Sequence, residues 1–253
     1  MSSAADLRST ATPSTPPQDP RRSRFSFQQP WFEETRPDWE ELTRSLRGQQ
    51  LRVLEVGAFE GASTTWILDN LLSHPESTMT VIDTFAGGME HQGDANDAYG
   101  LASLESRFWS NVSKCEHVSK LHVMKATSDD ALITLRREGA RFDFVYIDAS
   151  HVALDVLHDA VLCWRMLDVG GTMIFDDFTW KGYNEDCYNP RVAILSFLLC
   201  AAPELQAKET ELQLWVTKVF NHISATKNPD PAILYWDKPE SFKLPVVPVK
   251  IIR

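Results

Sequence analysis

Cysteine is scarce: the 253 residues hold only Cys115, Cys163, Cys187 and Cys200, and none are spaced as Cys-x-x-Cys. That excludes a thiolate zinc site and a disulfide framework, and fits a reducing compartment. Basic charge is scarce too, with 25 Lys and Arg against 35 Asp and Glu and a net charge of -10. A general nucleic-acid binder needs a basic face to neutralise phosphates; only Arg21, Arg22 and Arg24 cluster, in what reads as a solvated tail. An apolar leader and an apolar run long enough to span a bilayer are both missing, so a cytoplasmic chain is expected, with neither membrane nor nucleic acid as partner. The sequon Asn111-Val-Ser113 is read as chance.

What is present is a glycine turn between a strand and a helix. In LRVLEVGAFEGAS, residues 51–63, the apolar, β-branched run 51–56 reads as a buried parallel strand, and 63–72 has the rhythm of a helix packed on it. Gly57 and Gly61 allow backbone angles that other residues resist and leave room for a ligand at the helix N-terminus. The pattern Glu-x-Gly-x-x-x-Gly-x-Ser departs from the dinucleotide fingerprint, because Glu55 would repel a pyrophosphate. It suits a ligand that carries an ammonium or a sulfonium, as S-adenosylmethionine does.

Residues 1–28, rich in Ser, Thr, Pro and Arg, read as a disordered tail. Residues 30–46 carry Trp31, Phe32, Trp39, Leu42 and Leu46 at near-helical spacing, a helix laid over the domain or over the ligand mouth. Strands are then expected at 79–85, 120–126, 142–148 and 172–175, with helices between them. The helix 152–167 is strongly amphipathic and Gly170-Gly171 marks its end. A helix at 190–202 and two closing strands, 205–210 and 212–220, complete a domain spanning 29–220. The extension 221–253 contains a strand-like stretch, 232–236, and a Pro-punctuated end that would pack on the domain or on another subunit.

Strands alternating with helices imply an α/β fold with right-handed crossovers: a doubly wound, Rossmann-like sheet of seven strands, mostly parallel with an antiparallel edge strand. Ligands collect beyond the carboxyl ends of such strands. Glu55, Asp83, Asp148, Asp176 and Asp177 all fall at or near those ends. A lone strand-end Asp is commonly a helix cap, but a cap needs no partner acids on neighbouring strands.

From about residue 50 to 220 the chain resembles the class I S-adenosylmethionine-dependent methyltransferases. LEVGAFEGAST resembles their first glycine motif, and VIDTF their second strand, whose terminal acid, Asp83 here, binds the ribose hydroxyls. ATSDDAL resembles the adenine-side motif, with Ser128 and Asp129 facing the base. YIDASH followed by GGTMIFDDF resembles the catechol, caffeoyl-CoA and macrolide-sugar O-methyltransferases. The resemblance implies a divalent cation, Mg²⁺ or Mn²⁺, on Asp148, Asp176 and Asp177, with Asp148 also beside the cofactor. It implies His151 as base where the catechol enzymes have lysine, and that departure, with Asp-Asp replacing Asp-Asn, moves the acceptor toward sugars and natural products.

The chemistry expected is in-line methyl transfer from S-adenosylmethionine to a hydroxyl of a small natural product, sugar or phenol. An enzyme of the same fold with other chemistry and a cofactor-binding protein without turnover remain as alternatives, as does a homo-oligomer. Residues 86–100 and 180–189 read as acceptor loops, with Met89, His91 and Tyr99 as contacts and Gly87, Gly88 and Gly93 as pivots.

Overall fold

The structure, a computed structural model, describes residues 24–91 and 99–221. Seven strands form one sheet: β1 (Arg52–Val56), β2 (Thr78–Asp83), β3 (Leu121–Lys125), β4 (Phe142–Ile147), β5 (Leu167–Phe175), β6 (Leu205–Glu209) and β7 (Leu214–Lys218). Six helices accompany them: α1 (Trp31–Leu42), α2 (Ala62–Asn70), α3 (Leu104–Val112), α4 (Ser128–Arg137), α5 (Ala153–Met166) and α6 (Pro190–Ala201). The strand order is β3-β2-β1-β4-β5-β7-β6. Neighbours among the first five strands pair parallel, and β7 runs antiparallel to both β5 and β6.

The apolar runs of β1 and β4 are buried on both faces, as a parallel sheet requires. One face packs against α4, α5 and α6 through Leu54, Val145, Phe175, Cys163 and Phe197. The other carries Val53, Phe144, Tyr146 and Trp215 against Trp39 of α1, Trp66 of α2 and Phe108 of α3. Trp39 is fully buried, with aromatic edges from Trp66, Phe144, Tyr146 and Trp215.

One boundary is corrected. Gly170-Gly171 does not close α5; the chain passes from α5 directly into β5, which begins at Leu167 and carries both glycines inside it. The ladder to β4 shifts register between Phe142–Leu167 and Phe144–Thr172, so the glycines sit in a bulge, and a Cβ on Gly171 would stand 2.9 Å from the Asp143 carbonyl oxygen. The expected strand-like stretch at 232–236 lies outside the described residues. Among the described residues no helix is long and apolar enough to cross a membrane.

Residues 24–28, read from sequence as part of the tail, hold to the domain. Ser26 N–H donates to Asn111 Oδ1 at 2.9 Å, and Gln28 N–H donates to Glu60 Oε1 at 2.7 Å. Asn111 is 1% exposed, with its amide committed to Ser26 and Glu60 carbonyls, and it offers no surface to a glycan.

Candidate active site

The C-terminal rim of the sheet gathers the acids, but their neighbours divide them into two groups. In the first, around β1, β2 and α2, every carboxylate has taken protein partners. Glu55 is 0% exposed and accepts the hydroxyls of Ser63 and Thr64, the latter at 2.5 Å, tying β1 to the first turn of α2. Burial, against those two bonds, pushes its pKa up to about 7. Glu55 therefore does not present an open charge to a ligand's ammonium or sulfonium as the sequence suggested.

Asp83 closes β2 and gathers the turn: its Oδ2 accepts the amides of Ala58 and Phe59 at 2.7 and 2.9 Å, and its Oδ1 accepts that of Phe85 at 2.6 Å. The glycines serve packing rather than open space. Gly57 has φ +87°, and a Cβ there would lie 1.8 Å from the Asp148 carbonyl oxygen, because the loops after β1 and β4 touch; at Gly61, φ +83°, it would meet Phe108 of α3.

Glu60, overlooked in the sequence, anchors this side. It is 2% exposed, accepts the amides of Gln28 and Gln29, and pairs with Arg107 Nε at 3.1 Å. Arg107 in turn donates to the carbonyls of Tyr99 and Gly100. Over the same turn lie Trp31, Phe59, His91 and Tyr99 in mutual ring contact. His91 is thus engaged in this stack, while Met89 is 65% exposed. Ser128 and Asp129 open α4 and lie toward α5, with Asp129 Oδ1 3.2 Å from His158 Nδ1.

The second group stands where β4 and β5 end. Asp148, His151 and Asp177 bring one ligand atom each within 4.8 Å of one another. Asp177 has φ +56°, a conformation uncommon for a non-glycine residue, and this turns the chain so that its Oδ2 meets His151 Nε2 at 2.6 Å. Asp176, expected as a third ligand, is outside this set. Consecutive residues at a strand end point apart, and Asp176 is held by Gln213 Nε2 at Oδ1 (2.9 Å) and by the Tyr146 hydroxyl at Oδ2 (2.8 Å).

That hydroxyl is also 3.0 Å from Asp148 Oδ2, and its one proton cannot serve both acids. Burial and then mutual repulsion with the other acids raise the Asp176 carboxyl to about 6 and the Asp148 carboxyl well above its ordinary value. Burial works against charge on His151 as well, but Asp177 and Glu90 outweigh it and lift the imidazole to about 10, so in this arrangement the ring is a cation and a donor.

Gln213 is itself fixed from behind, since its Oε1 accepts the indole N–H groups of Trp39 (3.0 Å) and Trp215 (3.2 Å). Glu90 approaches His151 from the turn after β2, with Oε1 in an ion pair 3.2 Å from Nδ1. Trp180 covers the other side of the ring, with centroids 4.6 Å apart.

The acceptors that converge are the carboxylates of Asp148 and Asp177, a pair able to hold a divalent cation, with the His151 imidazole beside them. The rim above β1 and β2, with its amide-bearing turn and Asp83, can hold a nucleoside.

A methyltransferase domain family matches residues 54–178. No curated protein matches the chain. Among solved structures the chain is similar to the O-methyltransferase TomG from Streptomyces achromogenes, involved in tomaymycin synthesis and in complex with SAM, at 18% identity over 73% of this chain and 80% of that one, with a TM-score of 0.54. It is similar to an O-methyltransferase from Bacillus cereus in complex with SAH, at 20% identity over 73% and 81%, with a TM-score of 0.52. MycE from the mycinamycin pathway, in complex with Mg, SAH and mycinamycin VI, is 18% identical over 81% of this chain and 54% of that one, with a TM-score of 0.51. At such identities the likeness is one of fold.

Proposed function

We propose that the chain, whose residues 54–178 match a methyltransferase domain family, is a class I S-adenosylmethionine-dependent methyltransferase that methylates a hydroxyl of a small acceptor with the help of a divalent cation. The observation that carries this reading is the meeting of Asp148, His151 and Asp177 within 4.8 Å beside the cofactor rim. An alcohol or phenol is a poor nucleophile at neutral pH, and a methyltransferase acting on oxygen must orient it and draw off its proton.

S-adenosylmethionine supplies the methyl group when bound. Asp83 has three amide bonds in place and of its roughly four acceptor positions one remains for a ribose hydroxyl. Ser128 and Asp129 at the start of α4 mark the adenine side. Mg²⁺ or Mn²⁺ held by Asp148 and Asp177 would lower the acceptor's pKa and fix two neighbouring oxygens in one pose. MycE, in complex with Mg, supports the choice of metal. His151, in its neutral form, would receive the acceptor's proton, and Asp176 supports the site from behind through Tyr146. Trp180 keeps water from the imidazole face.

The test is transfer of a tritiated methyl group from S-adenosylmethionine to vicinal diols. Activity should vanish on treatment with EDTA and return with Mg²⁺ or Mn²⁺, and Asp177→Asn should lower kcat/KM by about 100-fold or more. Equal turnover by stripped and loaded enzyme would remove the cation from the mechanism.

A further inference from the structure

Four buried polar atoms find no hydrogen-bond partner among the described residues: both carboxylate oxygens of Glu90, His151 Nδ1 and the Tyr183 hydroxyl. They lie together. Glu90 Oε1 is 3.2 Å from His151 Nδ1, Trp180 packs on His151, and Tyr183 meets Trp180 edge-on with centroids 5.1 Å apart. The Glu90 charge also raises the Tyr183 phenol, after burial. The His151 cation offsets the Glu90 charge at 3.2 Å, but neither carboxylate oxygen holds a hydrogen bond, so acceptor positions on Glu90 stay open to a donor from outside the chain.

The local backbone is shaped to admit these groups. A Cβ on Gly88 would stand 2.2 Å from Glu90 Oε1, and one on Gly182 would stand 2.0 Å from the Trp180 ring. Both positions must be bare for the carboxylate to turn inward and for the indole to fold over His151. Glu90 is not part of the group formed by Asp148, His151 and Asp177; it borders that group on the side of His151 away from Asp177.

We propose that Glu90 and Tyr183 read a second polar arm of the acceptor, a hydroxyl or a protonated amine that donates hydrogen bonds beside the hydroxyl to be methylated. The inference rests on the O-methylation reading. The open acceptor positions of the Glu90 carboxylate take a hydrogen bond from either arm, whereas Tyr183 can give or take. An arm ending in a carboxylate or phosphate offers no donor to Glu90 and meets its charge, and such acceptors are rejected.

Four probes of equal core separate the cases: 4-(2-aminoethyl)catechol, 4-(2-hydroxyethyl)catechol, 4-ethylcatechol and 3,4-dihydroxyphenylacetate. Methyl transfer is measured with Mg²⁺ present, and dissociation constants are taken by calorimetry with S-adenosylhomocysteine in place. The amine and hydroxyl arms should exceed the ethyl arm by about 10-fold in kcat/KM and in affinity, and the acid should fall about 10-fold below it. Glu90→Gln should collapse the ratio of amine to ethyl, and Tyr183→Phe should shrink the ratio of hydroxyl to ethyl.

Methylation of the acid as fast as the amine, or unchanged ratios in Glu90→Gln, overturns the reading pair and leaves the O-methylation reading standing. If Glu90→Gln does not fold, unchanged ratios in Tyr183→Phe overturn the pair equally. No transfer to any probe by a protein that binds S-adenosylhomocysteine overturns the acceptor class and the pair with it.

Discussion

The two halves of the rim treat their acids in opposite ways. Around β1 and β2, Glu55, Glu60 and Asp83 have all found hydroxyl, amide or guanidinium partners. Around β4 and β5, Asp148 and Asp176 contend for one phenol proton, and Glu90, reaching over from the turn after β2 to His151, has no hydrogen-bond partner among the described residues. The first half is finished by folding. The second is finished by what it binds, and its crowded charge is a cost that fold stability elsewhere must offset. Substitutions in the first half should therefore be felt as stability and those in the second as function.

The sharpest break of that contrast is at Gly57, where the halves touch. Gly57→Ala, with its Cβ driven to 1.8 Å from the Asp148 carbonyl oxygen at φ +87°, should destabilise by roughly 3–5 kcal/mol in urea unfolding. A wild-type midpoint would show that the loops part without cost.

Next comes Glu55. Its folded pKa of about 7 lies above the unfolded value, so its contribution is fully present below about pH 4.5 and is lost as pH rises through about 7. At about 1.4 kcal/mol per pKa unit the loss is about 3 kcal/mol. Glu55→Gln should lack this slope. Parallel stability curves for the two proteins from pH 4.5 to 7.5 would place the proton elsewhere.

The smallest stability effect is expected in the second half. Asp177→Asn keeps a residue that tolerates φ +56°; it gives up the charge paired with His151 but relieves repulsion from Asp148 and Asp176, and with the two effects opposed its unfolding free energy should move by less than about 1 kcal/mol while its activity collapses. A loss of stability matching that of Gly57→Ala would mean that both halves are structural.

The strand and helix pattern could be read from sequence because parallel strands are continuous apolar runs and amphipathic helices repeat at 3.6. Most expected elements lie within one or two residues of those found; β5 departs because a glycine pair looks the same at a helix end and inside a bulge. The acids' strand-end placement was legible as well. Which of Asp176 and Asp177 faces His151 was not, since it depends on a positive φ that sequence does not mark. Glu90 was missed between Met89 and His91, both named as contacts, because in an irregular loop no periodicity tells which side chain turns inward. A signal was present in Gly88 beside it.

The amide of Gln213 is in most proteins a rotor whose two ends are interchangeable. Here two indoles from opposite ends of the chain, Trp39 and Trp215, both donate to its oxygen, so its nitrogen can only face Asp176. Orientation is thus transmitted from the first helix to the rim as a binary choice. A drifting lineage that lost either indole would free that rotor, and could retune the pocket from a tryptophan that never meets a ligand.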